Sequence, residues 1–269
     1  MVGGHGTHDE RVELYAEKLK RDPGDVNSRH ELALAHVENG DWCLALAELA
    51  IADRITTPGS GLDFSVTRAR ALALGGRPGG ARVVLDSFLE KSPGHAPALL
   101  ERARIYDTLK MPEESLADYR NALRLTVNPE PDLFLEIAGK LAGQHADDEA
   151  ILVIQKGIAS KGEVPSLVLK AVDLEIAAGR YDDALKRVDS MARLMPRPEP
   201  WMAKRASVLA RAGRLEESRH EWEGLVKRID GLPAPERGSV AMATLSKGAR
   251  LALAALSAPP ADNPARAAN

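Results

Sequence analysis

Few residues of this 269-residue sequence have the types and spacing that catalysis requires. There is no GxSxG segment, no HExxH segment and no CxxC pair, so the common nucleophile and zinc motifs are absent. Cys43 is the single cysteine, which excludes an internal disulfide, and its apolar neighbours predict a small core residue. His5 and His8 would bind a metal only loosely, because no third ligand is adjacent. We therefore expect no catalytic residue, no metal site and no cofactor.

Acidic pairs recur along the chain, each at the expected start of the second helix of a helical pair. Carboxylates at that place face the positive end of the helix dipole. We interpret these pairs as helix-stabilising groups and not as general acids or bases. They are Glu113-Glu114, Asp147-Asp148, Asp182-Asp183 and Glu216-Glu217.

A second charge pattern joins an arginine to an acidic residue further along the chain. The spacing is 16 residues in two places, from Arg102 to Asp118 and from Arg205 to Glu221. Because the two members would lie on the two helices of one pair, we expect an ion pair in each. Arg68 is expected to reach Glu48 in the preceding repeat. Such pairs would fix the register of the helices more than they would add stability.

The elements that position these residues repeat at a nearly constant period. Each copy contains two apolar-periodic runs around a short polar break, which predicts a helical hairpin. The copies begin near Val26, Leu62, Ala96, Pro131, Pro165 and Glu199, at spacings of 36, 34, 35, 34 and 34 residues. A fixed period of this length predicts a solenoid.

Single helices are expected to cap the repeats at both ends. An apolar face over residues 9–21 predicts an N-terminal cap helix, and residues 236–257 predict a C-terminal one. Residues 1–8 and 258–269 are expected to be flexible tails. The domain prediction is therefore one solenoid over residues 9–257. Its fourth repeat is expected to be the softest, since Gly157 lies inside the second helix.

Small residues stand at the same two places of every repeat. The eighth position holds Ala33, Ala69, Ala103, Ala138, Val172 and Ala206, and the twentieth holds Ala45, Ala81, Ser115, Ala150, Ala184 and Ser218. The fifteenth position, between the helices, holds Gly40, Gly76, Gly179 and Gly213, with Lys110 and His145 as departures. This pattern resembles the tetratricopeptide repeat (TPR) family.

The resemblance implies an all-α, right-handed solenoid of about six hairpins, whose first helices line a concave groove. The family's groove positions correspond here to His30, Leu34, Arg70, Arg104, Asp107 and Asp173. Arg70 and Arg104 hold the same position in successive repeats, so they are expected to stack as a small basic ladder suited to an acidic segment. The chaperone-tail clamp of some TPR proteins is not reproduced, because His30 and Leu34 stand where it has a basic residue and an asparagine.

These expectations favour a non-enzymatic scaffold or adaptor that binds a protein or peptide segment in the groove. A regulatory subunit of a separately encoded enzyme or secretion complex is one alternative, and an RNA-binding helical-repeat protein is a less favoured one. The net charge of −3 and the isoelectric point of about 6.2 argue against nucleic acid as the main partner.

The same sequence predicts no membrane-spanning segment, because no run of 18 or more apolar residues occurs. Its first ten residues lack the apolar stretch of a signal peptide. The expected location is cytoplasmic for the sequence as written, and periplasmic for a chain from which a leader was removed.

Overall fold

The computed structural model describes residues 5–57 and 60–257, with the backbone alone for residues 5–9. The chain divides into two compact units, Met1–Asn128 and Pro129–Asn269. Helices are the only regular elements among the described residues, which confirms the all-α prediction. The predicted C-terminal tail and residues 1–4 of the predicted N-terminal tail lie outside the described residues.

Unit 1 consists of one helix followed by three helical hairpins. Its helices are α1 (His5–Arg21), α2 (Val26–Asn39), α3 (Trp42–Ile55), α4 (Ser65–Leu74), α5 (Pro78–Lys91), α6 (Ala96–Thr108) and α7 (Pro112–Leu125). The two helices of each hairpin pack against each other, and each hairpin also packs against the next hairpin of the unit. The first helix packs on α2, as a cap would.

Unit 2 consists of three further hairpins and a C-terminal helix. Its helices are α8 (Pro131–Gly143), α9 (Asp147–Lys161), α10 (Pro165–Ala177), α11 (Tyr181–Leu194), α12 (Glu199–Arg211), α13 (Leu215–Asp230), α14 (Ala234–Arg237) and α15 (Val240–Ser257). The single cap helix expected over residues 236–257 is instead interrupted after α14, at Gly238. The longer helix α15 covers α13 through Met242, which joins a core cluster with Trp222 and Ile229.

The two small-residue positions are where the helices of a hairpin meet. All twelve residues at the eighth and twentieth positions have 0% exposure. Small side chains let the two helix backbones approach closely, and larger neighbours such as Leu49 and Leu85 fill the space around them. The register proposed from the sequence is therefore the register of the core.

The turn between the two helices of a hairpin requires a residue with positive φ, in the left-handed region, whether or not that residue is glycine. Gly40 and Gly213 have φ of 89° and 75°. Lys110 and His145, which replace the turn glycine, adopt φ of 59° and 58°. The turn geometry is thus kept in the two repeats that depart from the glycine pattern, at some conformational cost.

The predicted ion pairs inside the hairpins are present. Arg102 bonds Asp118 through Nε at 2.6 Å, and its Nη1 also reaches Asp86 of the preceding repeat at 2.9 Å. These carboxylates raise the pKa of the Arg102 guanidinium. Arg205 is held in the same way, between Glu221 of its own repeat and Asp189 of the preceding one. Each arginine therefore ties two successive hairpins together.

Two predictions about individual residues are wrong. Arg68 bonds Asp53 at 2.7 Å, and Glu48 pairs instead with Arg29 at 2.6 Å. Cys43 is exposed and not a core residue. It lies in an apolar run, but the core-facing side of α3 is taken by Ala45, Leu49 and Ala52, and Cys43 is not on that side.

Gly157 has a packing role inside α9. A Cβ placed on this glycine would lie 2.9 Å from Cγ of Phe134, a side chain of α8 that is 1% exposed. The aromatic ring therefore occupies the space that any larger residue would need. Gly157 marks a close contact between two helices, and whether this repeat is the softest remains a prediction.

We predict that Gly157→Ala destabilises the protein by about 1–3 kcal/mol, because the added methyl group collides with Phe134. Gly139→Ala is the matched control, since a Cβ on Gly139 of α8 would meet nothing within 4 Å. It should stabilise by about 0.5–1 kcal/mol through helix propensity. Urea unfolding measures both changes. Equal stabilisation by the two substitutions would contradict the packing role of Gly157.

Candidate functional site

An open groove crosses the first helices of unit 1. It encloses a cavity of about 710 Å³ that extends from α2 past α4 to the start of α6. Three of the six predicted groove residues, His30, Leu34 and Arg70, line it. The remaining wall is formed by Gly61, Leu62, Asp63, Val66, Thr67, Phe88, Lys91, Ser92, His95 and Pro97. We call this cavity the unit 1 groove.

His30 is fixed between two neighbouring hairpins. Its Nε2 shares a hydrogen bond of 2.8 Å with the hydroxyl of Thr67 on α4, and its ring centroid lies 5.0 Å from that of Phe64. Burial of the ring lowers the pKa of His30 from its ordinary value of 6.5. The imidazole is therefore held in its neutral form at neutral pH.

Arg70 and Arg104 lie close together, but not as a ladder of free cations. Both approach the same oxygen of Glu101, at 2.7 Å from Nε of Arg70 and 3.7 Å from Nη1 of Arg104. Glu101 is only 8% exposed, so its charge needs these partners. The carboxylate offsets part of the positive charge that the sequence predicted for this surface.

Asp107 and Asp173 have partners within their own units. Asp107 accepts hydrogen bonds from the hydroxyls of Ser115 at 2.7 Å and Tyr119 at 3.3 Å, both on the second helix of its hairpin. In unit 2, Asp173 of α10 accepts from Lys204 of α12 at 2.6 Å. These two residues are not part of the unit 1 groove.

The sequence analysis missed two polar groups that line the groove. Lys91 is exposed at the end of α5, and none of the described ion pairs includes it. Nδ1 of His95 accepts the backbone N–H of Ala98 at 3.1 Å and caps α6, so the neutral ring keeps Nε2–H as a donor. Both residues lie near the α5–α6 connection, outside the first-helix positions, and no spacing in the sequence distinguishes them.

Neither a metal site nor a membrane-spanning helix occurs among the described residues. Across the described ranges, no three His, Cys, Asp or Glu side chains form a group that could hold a metal ion. None of the helices in the described part combines the length and apolar character needed to cross a bilayer.

Comparison with known proteins identifies the fold. No family model and no curated protein matches the sequence. A TPR protein of Thermus thermophilus is 20% identical with a TM-score of 0.53, covering 63% of this chain and 91% of that one. A TPR protein from Parabacteroides merdae is 20% identical with a TM-score of 0.51, covering 92% of each chain.

PilF of Pseudomonas aeruginosa is a third similar structure. It is 16% identical with a TM-score of 0.53, and the match covers 90% of this chain and 99% of that one. At identities this low, structural similarity shows the fold alone. The described hairpins therefore have the TPR fold that the sequence pattern indicated.

We predict that the imidazole of His30 titrates below pH 6.5, because burial disfavours its charged form. Below that pH the unfolded chain binds more protons than the folded one, so stability falls as the pH drops from 6.5 towards the lower folded pKa. An NMR titration measures the pKa, with His30→Gln to assign the resonance. A midpoint at or above 6.5 would contradict the burial of the ring.

Proposed function

We propose that this chain, which has the TPR fold, is a non-enzymatic scaffold whose unit 1 groove holds an extended segment of a partner protein. The observation that carries this proposal is the cavity of about 710 Å³ across three successive first helices. Its size lies within the usual range of ligand-binding clefts. Its wall combines apolar side chains with polar groups, as peptide-binding surfaces do.

The apolar part of the groove supports an aliphatic or aromatic anchor on the partner. Leu62 is 43% exposed, although it lies beside the partly buried side chains of Leu34, Val66 and Phe88. A partner side chain placed among them would remove this apolar surface from water. Burying apolar surface contributes about 25 cal/mol for each Å².

The polar part of the groove supports a carboxylate next to that anchor. In the described part of the chain, no ion pair includes Lys91 and no hydrogen bond uses Nε2–H of His95, whereas Arg70 shares Glu101 with Arg104. We therefore propose an acidic partner segment, recognised mainly by Lys91 and not by the arginines. The net charge of −3 supports a protein partner over a nucleic acid.

Thr67 and His30 are the pair of groove residues that most resembles a catalytic arrangement, and their environment supports a structural role for both. Thr67 and His30 are separated by the distance of a nucleophile and its base. Thr67 is only 4% exposed, however, so a substrate would not reach its hydroxyl. None of the described side chains orients the other nitrogen of His30, as the third member of a catalytic triad would.

Site-specific photocrosslinking in the native host tests the proposal. A benzophenone amino acid at Leu62, inside the groove, should capture a partner, whereas the same probe at Leu44 of α3 should not. The two leucines are similarly exposed, at 43% and 52%, but Leu44 does not line the groove. The groove would be the wrong surface if Leu44 captured the same partner with equal yield.

The charge preference is tested in the same experiment. We predict that Lys91→Glu lowers the crosslinking yield from Leu62 at least about tenfold, because it places a carboxylate against an acidic segment. Arg54→Glu is the control, since Arg54 is exposed on α3 and the charge change is the same. Equal yields in the two variants would contradict recognition by Lys91.

A further inference from the structure

A second cavity lies in unit 2, where α9, α10 and α11 meet. Its volume is about 350 Å³, and its wall is formed almost entirely by charged and amide side chains. It is separate from the unit 1 groove and contains none of the predicted groove residues. Its acidic groups are Glu175 of α10, Glu163 just before α10, and Asp183 of α11.

Glu175 is an unusual residue for its place in the repeat. It stands at the eleventh position, where most other repeats have large apolar or aromatic side chains such as Leu72, Tyr106 and Leu209. The residue is 1% exposed. Its Oε1 accepts from Nε of Arg187 at 2.6 Å, but its Oε2 is buried and has no hydrogen-bond partner among the described residues. Burial raises the pKa of this carboxyl group, and a second cationic partner would lower that pKa again.

The cations around the cavity already have partners. Arg187 bonds Glu175, Lys186 bonds Asp183 at 3.0 Å, and Arg180 bonds Asp148 at 2.5 Å. Glu163, by contrast, accepts from the hydroxyl of Ser190, at 3.1 Å from each oxygen, and from no cation in the described part of the chain. The wall thus holds three acids, Glu163, Glu175 and Asp183, and three bases, but Arg180 is paired with Asp148 outside the wall. Glu163 is therefore left without a cationic partner among the described residues. The unmet capacity in this cavity is for a cation that donates hydrogen bonds.

The chain itself shows which cation fits between two carboxylates at such a junction. Arg102 lies between Asp86 and Asp118, and it occupies the seventh position of its repeat. Arg205 occupies the same position and is held in the same way. The fifth repeat has Ala171 at this position, and Gln155 and Arg187 stand where Asp86 and Asp118 stand around Arg102. No arginine therefore enters from α10, and the carboxylates at this junction are instead Glu163 and Glu175.

We propose that this cavity receives an arginine side chain of a partner protein, with the guanidinium group between Glu163 and Glu175. A planar guanidinium carries five donors in a fixed arrangement, which suits two carboxylates and the amide of Gln155 better than an ammonium does. Oε2 is buried in the structure and must turn toward the cavity to meet the guanidinium group, and the terminal torsion of glutamate is soft enough to allow this. Arginine is also among the residues that dominate binding at protein interfaces.

The probe for this site is N-acetyl-arginine amide, added to the full chain labelled with 13C at the glutamate carboxylates. We predict chemical-shift changes at Glu163 and Glu175 that saturate with the probe. The citrulline analogue has the same shape without the charge, and it should bind at least about tenfold more weakly. Equal effects of the two probes would overturn the proposal.

Substitutions distinguish binding at this site from general attraction of the cationic probe to a negatively charged protein. Glu163→Gln should weaken probe binding at least about tenfold, because it removes the exposed carboxylate of the pair. Glu223→Gln removes one exposed charge from α13 of the same unit and should leave binding unchanged. Glu163→Gln tests the proposal even if Glu175→Gln fails to fold, since Glu163 is exposed. Absence of any saturable shift in the wild type would mean that Oε2 is satisfied by water, and the proposal would be wrong.

Discussion

The close contact between the two helices of each hairpin is the constraint on which the rest of the structure depends. Twelve small residues, two in each repeat, have 0% exposure at this contact. Where serine replaces alanine, its buried hydroxyl finds an acceptor inside the hairpin: Ser115 bonds Asp107 and Ser218 bonds the carbonyl of Ala206. Polar groups are therefore tolerated at the contact only when they are small and paired.

The repeat of the hairpins also fixes where charged side chains meet. Arg102 and Arg205 reach across successive hairpins because carboxylates from two repeats stand at fixed places on the second helices. Arg70 and Arg104 of two successive first helices share Glu101, which also lies on a first helix. These arginines are thus used to join repeats. The binding surfaces proposed above contain a group without such a partner among the described residues: Lys91 in unit 1, and in unit 2 Oε2 of Glu175, whose other oxygen bonds Arg187.

The hairpins, their register and the arginine pairs could be predicted because they depend on residue spacing, which the period of about 34 residues repeats. The site could be predicted only in part. An apolar run does not show which side of α3 Cys43 occupies. The contact of Glu101 with Arg70 and Arg104 depends on side-chain geometry and not on periodicity. Lys91 lies at the end of a second helix, whereas the TPR resemblance indicates groove residues on the first helices only.

Replacement of Ala103 by leucine tests the central constraint most directly. Ala103 has 0% exposure, so the larger side chain must push α6 and α7 apart, and urea unfolding should show a loss of about 2 kcal/mol or more. Ala47→Leu makes the same change at an exposed position of α3 and should alter stability by less than about 0.5 kcal/mol. Equal stability of the two variants would show that the helices do not depend on close contact at this position.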